Sequence, residues 1–447
     1  MRRHVWTTTA GLLGTFLLTT VPCVGLLHAG KSDPPADAAK RIDGAYPSLA
    51  ALYEDLHSHP ELSLHETRTA QRIAAELRKA GAEVTEGVGK TGVVGMLRNG
   101  DGPTIMVRTD LDALPVTEAT GRPYASTVTT KDNDGNTVGV MHACGHDMHM
   151  TCLVGTARLL AESRDRWKGT VMFVCQPAEE GGGGAKAMLS GGLYKRFAKP
   201  KYAVALHVDA DLEAGRVGYT PGFFLANVDS VDITVRGRGG HGAQPHHTVD
   251  PIVIACKLVL DLQTIVSREM KPIDPAVVTV GSIHGGTKHN VIPDEVKLQV
   301  TVRSYGDEVR KHLLDSIETK ALAAAASARA PEPTVSVTEG TPATYNDPEL
   351  SERGAAVFRK LLGAEHVVRR DPEMGGEDFS EYGRAGVPIF MFRLGSIAPA
   401  RFAAAKQGPP LPSLHSSLYY PDPEPTIKTG IKAMSALVLD LLNSRDP

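Results

Sequence analysis

A ten-residue stretch of this chain concentrates side chains that bind metals. Residues 141–150 contain three histidines, one cysteine and one aspartate. Cys144 and His146 are two positions apart, so they cannot share a helix face, but a turn centred on Gly145 can aim both at one point. Thiolate and imidazole together suit zinc or another borderline divalent ion. The simpler interpretation is a free thiol beside surface histidines, because this short spacing matches no zinc-finger pattern.

Further reactive side chains follow three predicted apolar strands. The strands cover residues 104–109, 171–176 and 202–206, and after them come Asp110 with Asp112, Glu179 with Glu180, and His207. In α/β sheets, ligands bind just outside the carboxyl ends of the strands. We therefore expect these groups to converge with the Cys144 loop on one metal site. Taken singly, each acidic pair could be an ordinary polar turn.

Histidines outside these groups are weaker candidates. His57, His59 and His65 lie in a predicted helix-to-loop segment, where exposed loop side chains are commoner than ligands. His415 precedes the last predicted helix and is a ligand candidate on residue type alone.

Length and composition indicate an ordinary globular protein. The chain has 447 residues, enough for two or three domains, and 42% of them are hydrophobic. A net charge of -3 gives no indication of a nucleic-acid partner. Aromatic residues make up only 5%, which disfavours stacking platforms for single strands.

The amino terminus predicts a leader. Basic residues at 2–4 precede an uncharged, largely apolar run at 11–25, which is the shape of a signal peptide. We expect an exported protein, periplasmic or extracellular, with residues 1–40 forming the signal peptide and a linker. An amino-terminal membrane anchor is the alternative, since the uncharged run from 5 to 29 is long enough to span and Leu27 weakens the cleavage signal.

Cysteines are few and scattered. Apart from Cys23 in the leader, the chain has Cys144, Cys152, Cys175 and Cys256, which is no disulfide framework. The last three lie in apolar segments and are predicted to be buried thiols. In an exported protein a metal ion would protect the Cys144 thiolate.

The pattern of elements predicts an α/β fold with an insertion. Helices and apolar strands cover residues 41–225 and return over 342–447, and both parts are assigned to one catalytic domain. Between them, residues 226–341 follow a strand–helix–strand–strand–helix–strand order, which is typical of a ferredoxin-like α+β domain.

Eight blocks of residues resemble a known family. The blocks are residues 108–115, 141–147, 176–180, 205–207, 239–243, 290–293 and 376–379, and His415. Over about residues 45–443 the chain resembles the amidohydrolase branch of the dimetal aminoacylase and carboxypeptidase superfamily. That branch includes hippurate hydrolase, N-acyl-amino-acid deacylases and auxin-conjugate hydrolases. The resemblance implies a dimetal exopeptidase-type catalytic domain with an inserted ferredoxin-like lid and dimerisation domain.

The resemblance also implies roles for single residues. The implied metal ligands are Cys144, which would bridge two ions, together with His146, Glu180, His207 and His415. Glu179 would be the general base, and Asp112 would match an acid beside the ligands of related peptidases. Those peptidases have a histidine ligand where Asp110 stands, and His146 replaces it. His241 and Asn290 would contact substrate, partly from a neighbouring subunit, and His241 would steady the oxyanion. Two divalent ions are expected, zinc or manganese, with nickel or cobalt also possible.

These inferences predict a metal-dependent amidohydrolase. Its substrates would be small N-acyl amino acids such as hippurate, cleaved to a carboxylic acid and a free amino acid. A dipeptidase or carboxypeptidase is the alternative enzyme, and a non-enzymatic metal-binding protein is the alternative class. Nucleobase deamination is disfavoured because its signature motifs are absent. A homodimer is expected through the apolar segments 251–268 and 276–283, unless these only pack on their own sheet.

Overall fold

The computed structural model of the protein describes residues 36–131 and 135–444. The predicted signal peptide and its alternative, the anchor, fall on residues outside these ranges. Among the described residues, no helix is both long and apolar enough to cross a membrane. The helices are α1 (Ala36–Ser58), α2 (Thr67–Lys79), α3 (His146–Ala161), α4 (Gly184–Ser190), α5 (Leu193–Arg196), α6 (Pro251–Thr264), α7 (Asp307–Ser327), α8 (Pro348–Leu362), α9 (Ser380–Arg384), α10 (Pro399–Ala405) and α11 (Pro423–Leu442).

The strands form one large sheet, one smaller sheet and three short pairs. They are β1 (Glu83–Val88), β2 (Gly92–Asn99), β3 (Thr104–Asp110), β4 (Thr129–Lys131), β5 (Thr137–Gly139), β6 (Gly169–Gln176), β7 (Tyr202–Glu213), β8 (Val217–Tyr219), β9 (Gly222–Leu225), β10 (Asp229–Arg236), β11 (Gly240–His241), β12 (Ala276–His284), β13 (Val291–Ile292), β14 (Glu295–Ser304), β15 (Thr334–Glu339), β16 (Thr344–Asn346), β17 (Val367–Arg369) and β18 (Ile389–Ile397).

The large sheet has the order β1-β2-β6-β3-β7-β18-β8-β17. Its central strands β6, β3, β7 and β18 run parallel, and they are apolar along nearly their whole length because both faces are covered. Helices α1, α3, α8 and α11 cover one face and enclose the larger core. Helices α4, α5 and α9 lie over a smaller core on the other face. The parallel strands therefore deliver their carboxyl ends to one edge.

The smaller sheet has the antiparallel order β12-β14-β10-β15, and α6 and α7 cover it. This is the ferredoxin-like arrangement that the sequence predicts. The helix α6 begins where Pro251 follows the Asp250 cap, whose side chain accepts a hydrogen bond from the Ile252 amide at 2.9 Å. The sheet has its own core, including Ile233, Leu258 and Leu298. The exact domain boundaries at 225/226 and 341/342 stay predictions.

Three local expectations are wrong. Residues 36–40, assigned to a linker, already belong to α1 because its apolar stripe begins to pack at Ile42. The strand before His207 continues to Glu213, since pairing with β18 holds it extended. Cys256 is exposed rather than buried, because the stripe of α6 that packs on the sheet runs through Ala255 and Leu258 instead. The predicted α/β architecture itself is confirmed.

Candidate metal centre

The turn at Gly145 directs Cys144 and His146 into one cluster. Gly145 has φ +76° and precedes α3, and a Cβ there would lie 2.6 Å from Val208 Cγ2, so only glycine fits. Cys144 Sγ lies 3.6 Å from His207 Nε2 and 3.3 Å from His415 Nε2. The sequence-predicted turn therefore brings the thiol to two histidines that are distant along the chain.

Backbone carbonyls select the imidazole nitrogens that face the cluster. His146 Nδ1 lies 2.8 Å from the Asp112 carbonyl oxygen, and His207 Nδ1 lies 2.8 Å from the Val208 carbonyl oxygen. Each Nδ1 therefore donates, which leaves the Nε2 lone pair for a metal ion. His146 Nε2 is 3.9 Å from Glu180 Oε1 and 4.0 Å from Glu179 Oε2.

His415 reaches the cluster from a loop near the carboxyl terminus. Its backbone has φ +66°, a strained value for a non-glycine residue, and its amide donates to the Ala143 carbonyl at 2.9 Å. His415 Nε2 is 3.4 Å from Glu180 Oε1. The loop is thus fastened directly to the chain segment that carries Cys144.

The five predicted ligands fit a divalent metal site. Two overlapping groups have ligand atoms within 4.8 Å of one another, Cys144 with His146 and His207, and Cys144 with Glu180 and His415. His146 Nε2 and Glu180 Oε1 are buried and have no hydrogen-bond partner, an expensive arrangement unless a cation binds them. Burial, and then the Glu180 carboxylate, raise the pKa of the Cys144 thiol to about 12. A thiolate here therefore requires a positive ion.

Glu179 lies beside the cluster without joining the cysteine group. Its ligand atoms are within 4.8 Å of those of Glu377 and Asp378, and separately of those of His146 and Glu180. Burial and the nearby carboxylates of Glu377 and Glu180 raise the pKa of Glu179 well above its usual range. A raised pKa means that the carboxylate binds a proton more strongly, which suits a group that must accept a proton during turnover.

Asp112 shapes the turn that presents both glutamates. Its carboxylate accepts from the Glu179 amide at 3.1 Å and from the Glu180 amide at 3.0 Å, and Ser63 Oγ donates to it at 2.6 Å. Ala178, just before, has φ +49°. Asp112 is thus a positioning acid in contact with the backbone of the turn.

Sequence reasoning assigned no role to a buried arginine network. The Arg108 side chain is fully buried and makes ion pairs with Asp110 at 2.9 Å, Glu377 at 2.8 Å and Asp378 at 3.1 Å. The sequence did contain a sign of this network, because Arg108 and the pair 377–378 belong to the blocks that carry the family resemblance. The network joins the two parts of the catalytic domain beneath Glu179.

Asp110 and His149 form a buried hydrogen-bonded pair beside the cluster. Asp110 Oδ1 accepts from His149 Nδ1 at 2.8 Å, and His149 Nε2 accepts from the Val208 amide at 2.9 Å. Both nitrogens of His149 are therefore occupied. Burial, His149 and then Arg393 hold the pKa of His207 well below its usual range, so that the ring is a neutral ligand.

The expectation that His57 is an exposed loop residue is wrong. It lies in the last turn of α1, and its ring is buried between Asp147, at 2.6 Å from Nδ1, and Glu118, at 3.2 Å from Nε2. Burial opposes the charge, but the two carboxylates outweigh it and raise the pKa of His57 to about 9. An ion pair made across 90 positions leaves no local pattern that could have revealed it.

The predicted substrate residues lie apart from the metal ligands. His241 and Asn290 are exposed where β11 and β13 pair, and the Gly242 amide donates to the Asn290 carbonyl at 2.9 Å. Among the described contacts, none joins either side chain to the five ligands. The structure places these two residues together, next to the smaller sheet.

Comparisons with known proteins agree with this geometry. Residues 106–415 match the model of peptidase family M20/M25/M40. The chain is 35% identical to thermostable carboxypeptidase 2 of Saccharolobus solfataricus, covering 88% of this chain and 95% of the relative. It is 38% identical to N-acetyl-L-cysteine deacetylase of Bacillus subtilis, covering 75% and 77%.

A solved structure has a similar fold as well. The Bacillus subtilis YXEP protein, described as a dinuclear metal binding peptidase from the M20 family, superposes with a TM-score of 0.73 and 29% identity. The match covers 90% of this chain and 99% of that one. The similarity therefore extends across nearly the whole described fold.

Proposed function

This chain belongs to peptidase family M20/M25/M40, and from that premise we propose that it hydrolyses the amide bond of N-acyl amino acids. The products are a carboxylic acid and a free amino acid. The family assignment covers an amide-cleaving hydrolase, and the substrate class is our proposal.

One observation carries the proposal. Both adjacent acids lie near His146, but Glu180 also lies with Cys144 and His415, whereas Glu179 also lies with Glu377 and Asp378. A carboxylate that ligates a cation cannot also exchange protons freely, so Glu180 serves as a ligand and Glu179 as the base. Hydrolysis by a metal-bound water requires these two separate groups, a ligand for the cation and a base for the water.

The reaction then follows from named groups. Divalent cations held by Cys144, His146, Glu180, His207 and His415 would polarise the substrate carbonyl and lower the pKa of water. Glu179 accepts the proton of the attacking water and returns it to the leaving amine. His241 of a neighbouring subunit stabilises the oxyanion, a contribution typically of a few kcal/mol. No other proton donor or acceptor is needed for the balance.

The substrate class is supported by the relatives. The name of the deacetylase specifies an N-acyl amino acid. The carboxypeptidase relative, aligned over a larger share of the chain, favours peptide cleavage as a second candidate. Both reactions cut an amide beside a carboxylate, so the position of the metal ligands does not separate them.

A substrate panel tests the proposal. Metal-loaded protein is incubated with hippurate, several other N-acyl amino acids and matched dipeptides, and the release of free amino acid is measured with and without a chelator. We expect chelator-sensitive release from the acyl substrates. Cleavage of dipeptides alone would replace the deacylase proposal by the peptidase. Turnover that a chelator does not affect would contradict the metal mechanism.

We further propose a homodimer and export. His241 and Asn290 are exposed, and among the described contacts neither side chain touches the metal ligands of its own chain. This supports a site completed by a neighbouring subunit. Export is supported only by the leader-like sequence of residues 2–29. Fractionation of cells that express the full chain, followed by detection with an antibody, tests the second proposal.

A further inference from the structure

A buried arginine lies next to the metal cluster and has no part in the mechanism above. Arg393 in β18 is paired in register with His207 in β7. Residues Ala203 and Ala205 of β7 and residues Ile389 and Met391 of β18 point into the smaller core. Because side chains alternate along a strand, His207 and Arg393 extend toward that same face. The two side chains are therefore neighbours on the face that bears the cluster.

The surroundings of Arg393 are shaped to accept its side chain. The guanidinium carbon lies 4.7 Å from the centre of the Phe224 ring. On the adjacent strand β8, Gly218 leaves space, since a Cβ there would come within 3.1 Å of Arg393 Cβ and 2.9 Å of Arg370 Cγ. Two arginines thus lie against one glycine, and the stack on Phe224 fixes the plane of the Arg393 guanidinium.

The ion pair of Arg393 is incomplete. Its Nη2 donates to Glu373 at 2.8 Å, while its Nε is buried without a hydrogen-bond partner. The Arg393 side chain is 6% exposed, but that of Glu373 is 46% exposed. A structural ion pair at this depth is normally saturated on both sides. Here the cation is buried and the anion is about half exposed to solvent.

The loop that carries Glu373 also borders the catalytic base. Four residues further along, Glu377 has ligand atoms within 4.8 Å of those of Glu179. The Glu373 amide donates to the Phe224 carbonyl at 3.0 Å, which fastens the loop beside Arg393. Arg393 is therefore next to His207 on the sheet, and its half-exposed partner Glu373 belongs to the loop that reaches Glu179.

We propose that Arg393 binds the carboxylate of the amino-acid part of the substrate, and that Glu373 occupies this position until substrate arrives. The inference rests on the proposed function, which supplies a substrate carboxylate close to the scissile amide. A guanidinium presents several donors in one plane and binds a carboxylate with two parallel hydrogen bonds. The unpaired Nε supplies the second of these donors.

The test compares a carboxylate with its neutral analogue. Hippurate and its primary amide are titrated by calorimetry into metal-loaded Glu179→Gln protein, in which turnover is blocked. Each is then titrated into the same background with Arg393→Gln, Glu373→Gln or Arg353→Gln added. Arg353 is the matched control, since it makes an ion pair with Asp440 at 2.7 Å on a helix over the opposite face of the sheet.

We expect Arg393→Gln to weaken hippurate binding about 10- to 100-fold, as for a charged hydrogen bond, and to change binding of the amide by less than about threefold. Glu373→Gln is expected to strengthen hippurate binding, because a competing anion is removed. Arg353→Gln should change neither. Equal losses for both ligands, or no loss for hippurate, would overturn the proposal.

The readout separates this inference from the proposed function. If hippurate binding depends on Arg393, the carboxylate site is supported. This holds even if the protein with Glu179 intact hydrolyses only dipeptides, because dipeptides also carry a carboxylate. A protein that hydrolyses hippurate but binds it equally well after Arg393→Gln keeps the function and loses the inference.

Discussion

Asp112 holds Glu179 by its backbone, with Asp112 Oδ1 accepting from the Glu179 amide at 3.1 Å. The other carboxylate oxygen accepts from the Glu180 amide at 3.0 Å. One buried acid therefore sets the spacing between the proposed base and the proposed ligand. These two hydrogen bonds explain why position 112 has an acid although Asp112 is not one of the proposed metal ligands.

Asp112→Asn should lower kcat about tenfold or more. The carboxylate accepts hydrogen bonds from two backbone N–H groups, and the NH2 group of asparagine would repel one of them. Ser63→Ala is the control, since it removes only the hydroxyl that donates to Asp112 at 2.6 Å and keeps both backbone bonds. Steady-state kinetics of the two variants would decide. Equal activity of Asp112→Asn and the wild type would contradict the positioning role.

Glu179→Gln should leave the metal content unchanged and reduce kcat by at least about 100-fold, the lower range for loss of a general base. The substitution keeps the shape of the side chain but removes its ability to accept a proton. Metal analysis and kinetics on the same preparation measure both parts. Activity within about tenfold of the wild type would show that another group is the base.

Cys144→Ser should lower the number of bound divalent ions, because Cys144 belongs to both ligand groups. Serine keeps the size of the side chain but supplies a poor ligand. Cys256→Ser is the matched control, as that thiol is exposed. Elemental analysis after dialysis gives the stoichiometry, and two ions retained by Cys144→Ser would refute the bridging assignment.

Glu76 should stabilise the fold in a pH-dependent way. Burial opposes its charge, but Lys79, Arg158 and Arg72 outweigh it and lower the pKa of Glu76 to about 2. Because the folded-state pKa is below the unfolded value, the stabilisation is complete above about pH 4.5 and is lost as the pH falls toward 2. Glu76→Gln should thus lower the unfolding temperature more at pH 7 than at pH 3.

The control for this experiment is Glu54→Gln, at an exposed position without an ion pair among the described contacts. Thermal unfolding followed by circular dichroism at both pH values gives the comparison. A Glu76→Gln deficit that is the same at pH 7 and pH 3 would rule out the ion pairs as its cause.

The proposed homodimer should depend on the exposed side of α6. Leu260 is 70% exposed there, and an apolar side chain of that size is costly on an unpartnered surface. We expect the wild type to have about twice the chain mass in light scattering and Leu260→Asp to be monomeric. Leu322→Asp on α7 is the control. A monomeric wild type would count against the dimer.

The convergence of the candidate metal ligands could be predicted from the sequence. Cys144, His146, Glu180 and His207 each belong to a short motif next to a predicted strand or turn, and the strands run parallel in one sheet. Residue type and position just after an apolar strand were sufficient to expect convergence. The ferredoxin-like sheet was predictable for a similar reason, since its strands alternate cleanly between buried and exposed positions.

The partners of buried charges were decided only by the tertiary structure. Arg108 meets Glu377 across 269 positions, and His57 meets Asp147 across 90. Arg393 lies beside His207 only because β18 pairs with β7. Local patterns specify which faces of strands and helices are apolar. They do not specify which buried cation meets which anion, because that depends on how distant segments stack once the cores have formed.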